Sequence, residues 1–409
     1  MKKSILLSVA VCAAMAQSDI ETLKEQMQRQ QEVIEALQKR VEELENRDRK
    51  RAREELKVKV EKADDAGDAF GQSAFLPDIA LILNGSAVAR DVGNDRYENF
   101  AIPGFIEAGD ANLPFNKNRG FNLNYAELSL HAAVDPYFDA YAVFHLQPEV
   151  FEVGEAYVVT RSLPYSLRLK AGKFKSDFGR INAQHQHSWH FDTQPLVYKA
   201  MLGAEGINDP GVQLQWVAPT DFYLMAGVEA MQGSNERSFG DTDENNLYVG
   251  YLKASTDVGE TTVLGGASVA HGKNETGRST DIYGVDFTTQ TYLDAYSALT
   301  WQSELLYRVY DRDGVYDEQA GLYTELVYRI DKNYSCGVRY GTLFKNVADE
   351  PDDLDRYSVM AEYRPFPMSR LRLQYNHDRS KVIDGERREI DEVIFSLNVA
   401  AGAHGAHAF

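Results

Sequence analysis

The sequence predicts an antiparallel transmembrane β-barrel of about 16 strands behind a short N-terminal α-helical coiled coil. Three observations predict it: polarity alternates with a period of two from Leu76 onward, the connections are alternately short and long, and the composition is acidic and aromatic without a spanning helix. The 409 residues carry 43 Lys+Arg against 62 Asp+Glu, a formal net charge of −19, and include 23 Tyr and 30 Gly. Such a balance argues against a nucleic-acid partner, which needs a basic face to displace counterions from phosphates. No run beyond the first segment reaches the roughly 18 apolar residues of a spanning helix.

Residues 1–16 read as a secretory signal. Lys2 and Lys3 precede the apolar stretch Ile5 to Ala14, and Ala14-Met15-Ala16 supplies the small-x-small cleavage pattern. Its removal leaves Cys336 as the one thiol, so no internal disulfide is expected. Residues 17–45 hold a heptad: Ile20, Leu23, Met27, Gln30, Ile34, Leu37, Val41 and Leu44 alternate steps of three and four, with Gln30 the polar exception. No downstream helix offers its apolar stripe a partner, so the coil Ile20 to Leu44 predicts oligomerisation, and a barrel behind it permits a homotrimer. Residues 46–75 lose the heptad and alternate in charge, as a solvated linker does.

Residues 76–409 are expected to form the barrel. Phe138, Ala140, Ala142, Phe144 and Leu146 alternate with Asp139, Tyr141, His145 and Gln147; Leu371, Leu373 and Tyr375 alternate with Arg370, Arg372, Gln374 and Asn376. Short turns at Asp135-Pro136-Tyr137, Ala218-Pro219-Thr220-Asp221 and Asp331-Lys332-Asn333 are predicted at one end. Longer loops are predicted at the other, including Asp91 to Phe121, Lys175 to Pro210, Asp311 to Gly321 and His377 to Arg388. The exception is a tight turn at Gln147-Pro148-Glu149. A soluble sandwich has no reason to keep that parity.

Gly172-Lys173-Phe174-Lys175-Ser176-Asp177-Phe178-Gly179 resembles the glycine, Phe-Lys and Phe-Gly pattern of the phosphate-selective porin O and P group. The N-terminal coil is similar to that of porins with a trimeric periplasmic coil. Gly120 to Phe138, Asn182 to Phe191 and Gly211 to Leu214 resemble a family of uncharacterised proteobacterial outer-membrane proteins, some labelled zinc-regulated TonB-dependent receptors. The resemblance implies a barrel in the outer membrane of a Gram-negative bacterium, with the coil in the periplasm, and zinc as a candidate ligand. The TonB part departs from the chain, since such a transporter needs about 22 strands and a plug. Terminal Phe409 resembles the signal read by the barrel assembly machinery.

In general porins the third long loop narrows the pore, so the resemblance makes Lys175 to Pro210 the expected constriction. Arg168, Lys170 and Arg180 lead into it, with Arg339, Arg370 and Arg372 extending a cationic path and Glu127 facing the same water. Within it His185, His187, His190 and Asp192 offer imidazole and carboxylate donors suited to zinc, although the spacing matches no recognised metal motif. His404 and His407 offer a second, weaker set. The acidic run Asp349, Glu350, Asp352, Asp353 and Asp355 has the chemistry to meet cations that bridge lipopolysaccharide at the outer lipid surface. No G-x-S-x-G, P-loop or H-E-x-x-H motif occurs, and an enzyme is not expected. The function expected is a porin passing small hydrophilic solutes by diffusion; the rival readings are a zinc-linked uptake channel or receptor and a structural or adhesin barrel.

Overall fold

The computed structural model describes residues 77–146, 151–235, 237–240, 245–349 and 353–402. The signal segment, the coil, the linker, the Gln147-Pro148-Glu149 turn, His404, His407 and Phe409 lie outside the described residues. Sixteen described strands close one antiparallel barrel. They are β1 (Asp78–Arg90), β2 (Gly120–Ala133), β3 (Phe138–Leu146), β4 (Phe151–Thr160), β5 (Leu167–Lys175), β6 (Asn208–Val217), β7 (Tyr223–Met231) and β8 (Leu247–Val258) in the first half. The second half comprises β9 (Thr261–Lys273), β10 (Ser279–Tyr292), β11 (Ala298–Arg312), β12 (Val315–Arg329), β13 (Tyr334–Phe344), β14 (Leu354–Phe366), β15 (Ser369–Ile383) and β16 (Glu386–Gly402). Closure runs from the pair Ala80↔Gly402 to Arg90↔Glu392 between β1 and β16.

The period of two sorts the side chains into an apolar outside and a polar inside. Leu83, Val228, Val285, Val338, Val359, Leu373 and Leu397 stand exposed on the outer face. Asn84, Gln213, Gln302, Glu304, Ser358, Gln374 and Ser396 are buried on the inner one. This inverts a soluble protein and matches a wall that meets lipid. The Tyr-rich composition finds its place at the rims: Tyr137, Tyr165, Tyr296, Tyr334 and Phe366 are exposed at the short-turn end, and Phe121, Phe151 and Tyr316 at the other. Amphipathic rings of this kind mark the two membrane interfaces.

Two expected long loops are instead tight hairpins. β11 and β12 are joined by Asp313-Gly314 (φ 54° and 89°), and β15 and β16 by Asp384-Gly385 (φ 54° and 79°). Positive φ at both central residues is the type I′ geometry that Asp-Gly favours. Near these turns charged residues interrupt the alternation, and cross-strand pairs such as Arg312 with Asp317 (3.2 Å) join the two strands. The loss of period therefore reads as loop in the sequence although the ladder persists.

The long-loop end of the barrel is filled. Residues Val92, Tyr97, Phe100, Ile102 and Ile106 of the first long connection pack with Phe174, Phe178 and Ile181 and with helix α1 (Leu196–Leu202) in one apolar core. That core takes in wall residues Ile282, Leu306, Tyr323 and Leu343, so it lies inside the barrel. Helix α1 follows Pro195 and ends before Gly203, and all its residues except Lys199 are buried. Each such aliphatic side chain contributes roughly 1.5–3 kcal/mol when buried, which fixes the third connection in the lumen.

Candidate functional site

The third connection, residues 176–207, crosses the lumen and contacts much of the wall. Glycines set its entry. Gly172 has φ 133°, and a Cβ there would strike the carbonyl oxygen of Ala156; Gly179 has φ 62°, and a Cβ there would strike the Glu304 carboxylate and the Tyr198 hydroxyl. The glycine, Phe-Lys and Phe-Gly pattern is thus the geometry of a loop leaving β5 and turning into the barrel. The Arg180 amide donates to Glu304 Oε1 (3.0 Å), as does the Tyr198 hydroxyl (2.7 Å), pinning the loop to β11.

A second anchor holds residues 189–193 against β13 to β16. Arg372, fully buried, donates through Nη1 to Asp192 Oδ1 (3.1 Å) and through Nη2 to Glu362 Oε2 (2.7 Å) and the Trp189 carbonyl (2.9 Å). Ser396 Oγ donates to Asp192 Oδ2 (2.8 Å), and the Asp192 amide to Gln374 Oε1 (2.6 Å). Arg339 donates to Thr193 Oγ1 (2.7 Å) with its guanidinium 4.4 Å from the Phe191 ring centroid, and Arg370 Nε lies 3.6 Å from Glu362. Arg168 and Lys170 share the inward face of β5, where Lys170 Nζ stands 3.9 Å from Asp177.

A cavity of about 880 Å³ lies at the short-turn end. Its charged lining comprises Arg180, Arg329, Lys332, Arg364 and Arg370 against one carboxylate, Glu362. On the opposite side of the 189–193 segment a recess of about 70 Å³ is lined by Lys199, Arg356, Lys381, Asp378, Asp192 and Glu392. Desolvation in this narrow recess, reinforced by Lys381 and Arg356, holds the Lys199 ammonium well below its ordinary pKa.

The histidines and Asp192 named from the sequence do not converge. His190 Nδ1 meets Glu325 Oε1 (2.6 Å) and Asp192 belongs to Arg372, whereas His185 and His187 stack at 5.6 Å and both approach Glu127. Glu127 faces inward but is covered rather than open to the cavity. Around its Oε2 stand His145 Nε2 (3.7 Å), His185 Nδ1 (3.4 Å) and His187 Nδ1 (3.5 Å). His185 Nε2 meets Glu155 Oε1 at 2.6 Å. Burial opposes a charge on His185, but Glu127 and Glu155 outweigh it and raise its pKa to about 10. His145 and Glu155 were missed in the sequence, where their one signal was inward parity with Glu127; the register Glu127↔His145 makes them neighbours.

No protein-family model matches the chain. An uncharacterised protein of Aquifex aeolicus strain VF5 is 42% identical, the match covering 83% of this chain and 81% of that protein. The chain belongs to that protein's family. Among solved structures, the outer-membrane channel DcaP of Acinetobacter baumannii superposes with a TM-score of 0.53 at 12% identity, over 81% of this chain and 99% of its own. OmpT, an outer-membrane protein of Vibrio cholerae, gives 0.53 at 12% over 82% and 100%, and the anion-selective porin of Comamonas acidovorans 0.52 at 10% over 80% and 99%. At such identities the likeness is one of fold: the chain is a β-barrel of porin-like architecture.

Proposed function

We propose that this protein is an outer-membrane diffusion channel for small hydrophilic solutes, narrowed by its third loop and favouring anions. The observation that carries the reading is the cavity of about 880 Å³ at the short-turn end, whose lining sets five cationic side chains against Glu362 alone. A charged lining inside a low-dielectric wall concentrates counter-ions and repels co-ions. Glu362 is already engaged by Arg364 (2.6 Å), Arg370 (3.6 Å) and Arg372 (2.7 Å), so it offsets little of that field. Beyond the 189–193 segment lies the smaller recess lined by Lys199, Arg356 and Lys381. Assembly as a homotrimer through Ile20 to Leu44 belongs to the same reading.

Single-channel recording in planar bilayers tests it. Small unitary steps are expected, with a reversal potential in a KCl gradient of the sign for chloride preference. A potential of the opposite sign would overturn the anion preference, and no opening in any salt would overturn the channel reading itself.

A further inference from the structure

We propose that Glu127, His145 and His185 form a binding site for a divalent transition-metal ion with the preferences of zinc, with His187 beside it as a fourth donor, and that the ion fastens the third loop to the β2–β4 wall. The donor atoms of Glu127, His145 and His185 all lie within 4.8 Å of one another. Four donors about 2.0–2.1 Å from a tetrahedral zinc stand about 3.4 Å apart. The three imidazole nitrogens facing Glu127 Oε2, at 3.7, 3.4 and 3.5 Å, approach that spacing. Imidazoles with one carboxylate select zinc and its neighbours over calcium or magnesium, which take oxygen donors.

The surroundings are those of a built site. His185 presents Nδ1 to the cluster and Nε2 to Glu155, whose other oxygen accepts the Lys175 amide (3.0 Å). A carboxylate on the far nitrogen of a ligand histidine fixes its tautomer and ring orientation. His145 is accommodated by an irregularity in β4: the register shifts between Val143 and Phe144, leaving Gly154 as the extra residue, and a Cβ on Gly154 would sit 2.9 Å from the His145 ring. Donors come from β2, β3 and the loop, so the ion would join the loop to two adjacent strands of the wall. His190 and Asp192 are held by Glu325 and Arg372 and take no part.

The consequence for conductance rests on the channel reading, but the site does not. The test uses the untagged full chain in detergent, stripped with a chelator and titrated with Zn²⁺ against a chromophoric competitor, with Co²⁺ absorption reporting geometry. One equivalent per chain and a tetrahedral cobalt spectrum are expected. Affinity should fall about 10–100-fold in Glu155→Gln, be lost in His145→Gln and His185→Gln, and stay unchanged in His190→Gln. The heat-induced mobility shift of the folded barrel identifies variants that still fold. Absence of stoichiometric binding by the wild-type chain, or an equal loss in His190→Gln, would overturn the site. Intact binding with no channel opening would overturn only the channel reading.

Discussion

Replacing Arg372 by Met removes the charge that docks the loop while keeping the length of the side chain. Arg372 is buried and faces two carboxylates, and their fates differ once it is gone. Glu362 keeps Arg364 at 2.6 Å and Arg370 at 3.6 Å. Asp192 keeps the neutral donor Ser396 Oγ (2.8 Å), and among the described residues no other guanidinium is hydrogen-bonded to its carboxylate. Breaking a buried pair from one side costs about 3–5 kcal/mol, and the surviving partners of Glu362 place this case at the lower figure. About 3 kcal/mol corresponds to roughly a 150-fold change in the balance between docked and undocked loop. Hydrogen exchange followed by mass spectrometry on residues 188–194 reads it directly. Protection in that segment should fall by about two orders of magnitude while β9 to β12 hold theirs, and channel recordings should become larger and noisier. The double variant Arg372→Met/Asp192→Asn should regain much of the protection, because no unpaired charge remains. Unchanged protection in the single variant, or a double variant no better than the single, would refute the assignment of this pair as the anchor.

Lys199 supplies a pH test. With its folded-state pKa below the unfolded value of about 10.4, the native state resists the proton that the unfolded chain accepts. Wild-type stability therefore falls as pH drops below about 10.4 and levels off beneath the folded pKa. Urea unfolding should show Lys199→Met equal to wild type near pH 10.5 and more stable at pH 7; an unchanged difference across that range would contradict the desolvation argument. Gly172→Ala should destabilise by at least about 1–3 kcal/mol, lowering the temperature of the folded-to-unfolded gel shift, because its Cβ meets the Ala156 carbonyl and its φ is 133°. Arg370→Glu should move the reversal potential in a salt gradient toward cations, and the wild-type potential retained in that variant would separate the cavity lining from selectivity.

The barrel was legible because its signal is local. Alternation within β3 or β15 needs only neighbouring residues, and the parity of turns needs only their order. The hairpins at Asp313-Gly314 and Asp384-Gly385 were hidden because charged residues interrupt the alternation near the turns, leaving Asp-Gly as the sole clue. The third loop was legible by its length and its flanking glycines, but its histidines were grouped by sequence proximity. His185 and His190 are five positions apart and end on different walls, one on Glu127 and Glu155, the other on Glu325. Finding His145 required the β2–β3 register and the irregularity at Gly154, which are set by cross-strand packing that no single segment encodes.

The acid excess of the whole chain, −19, and the cationic lining of the cavity are compatible because several acids inside the barrel, though not Asp286, are spent on structure. Glu304 accepts from the Arg180 amide and Tyr198, Glu325 meets His190, Glu362 is gripped by three arginines and Asp378 by Arg356 (2.7 Å). A carboxylate already paired projects little field into the water beside it, whereas Arg329 and Lys332, near the short turns, face the cavity without a carboxylate in contact among the described residues. Ion preference thus follows from which charges are left over after the loop has docked, not from their total. The anchor at Arg372 bears on selectivity as well as on width: undocking it would strip Asp192, which lines the recess, of the guanidinium that neutralises it.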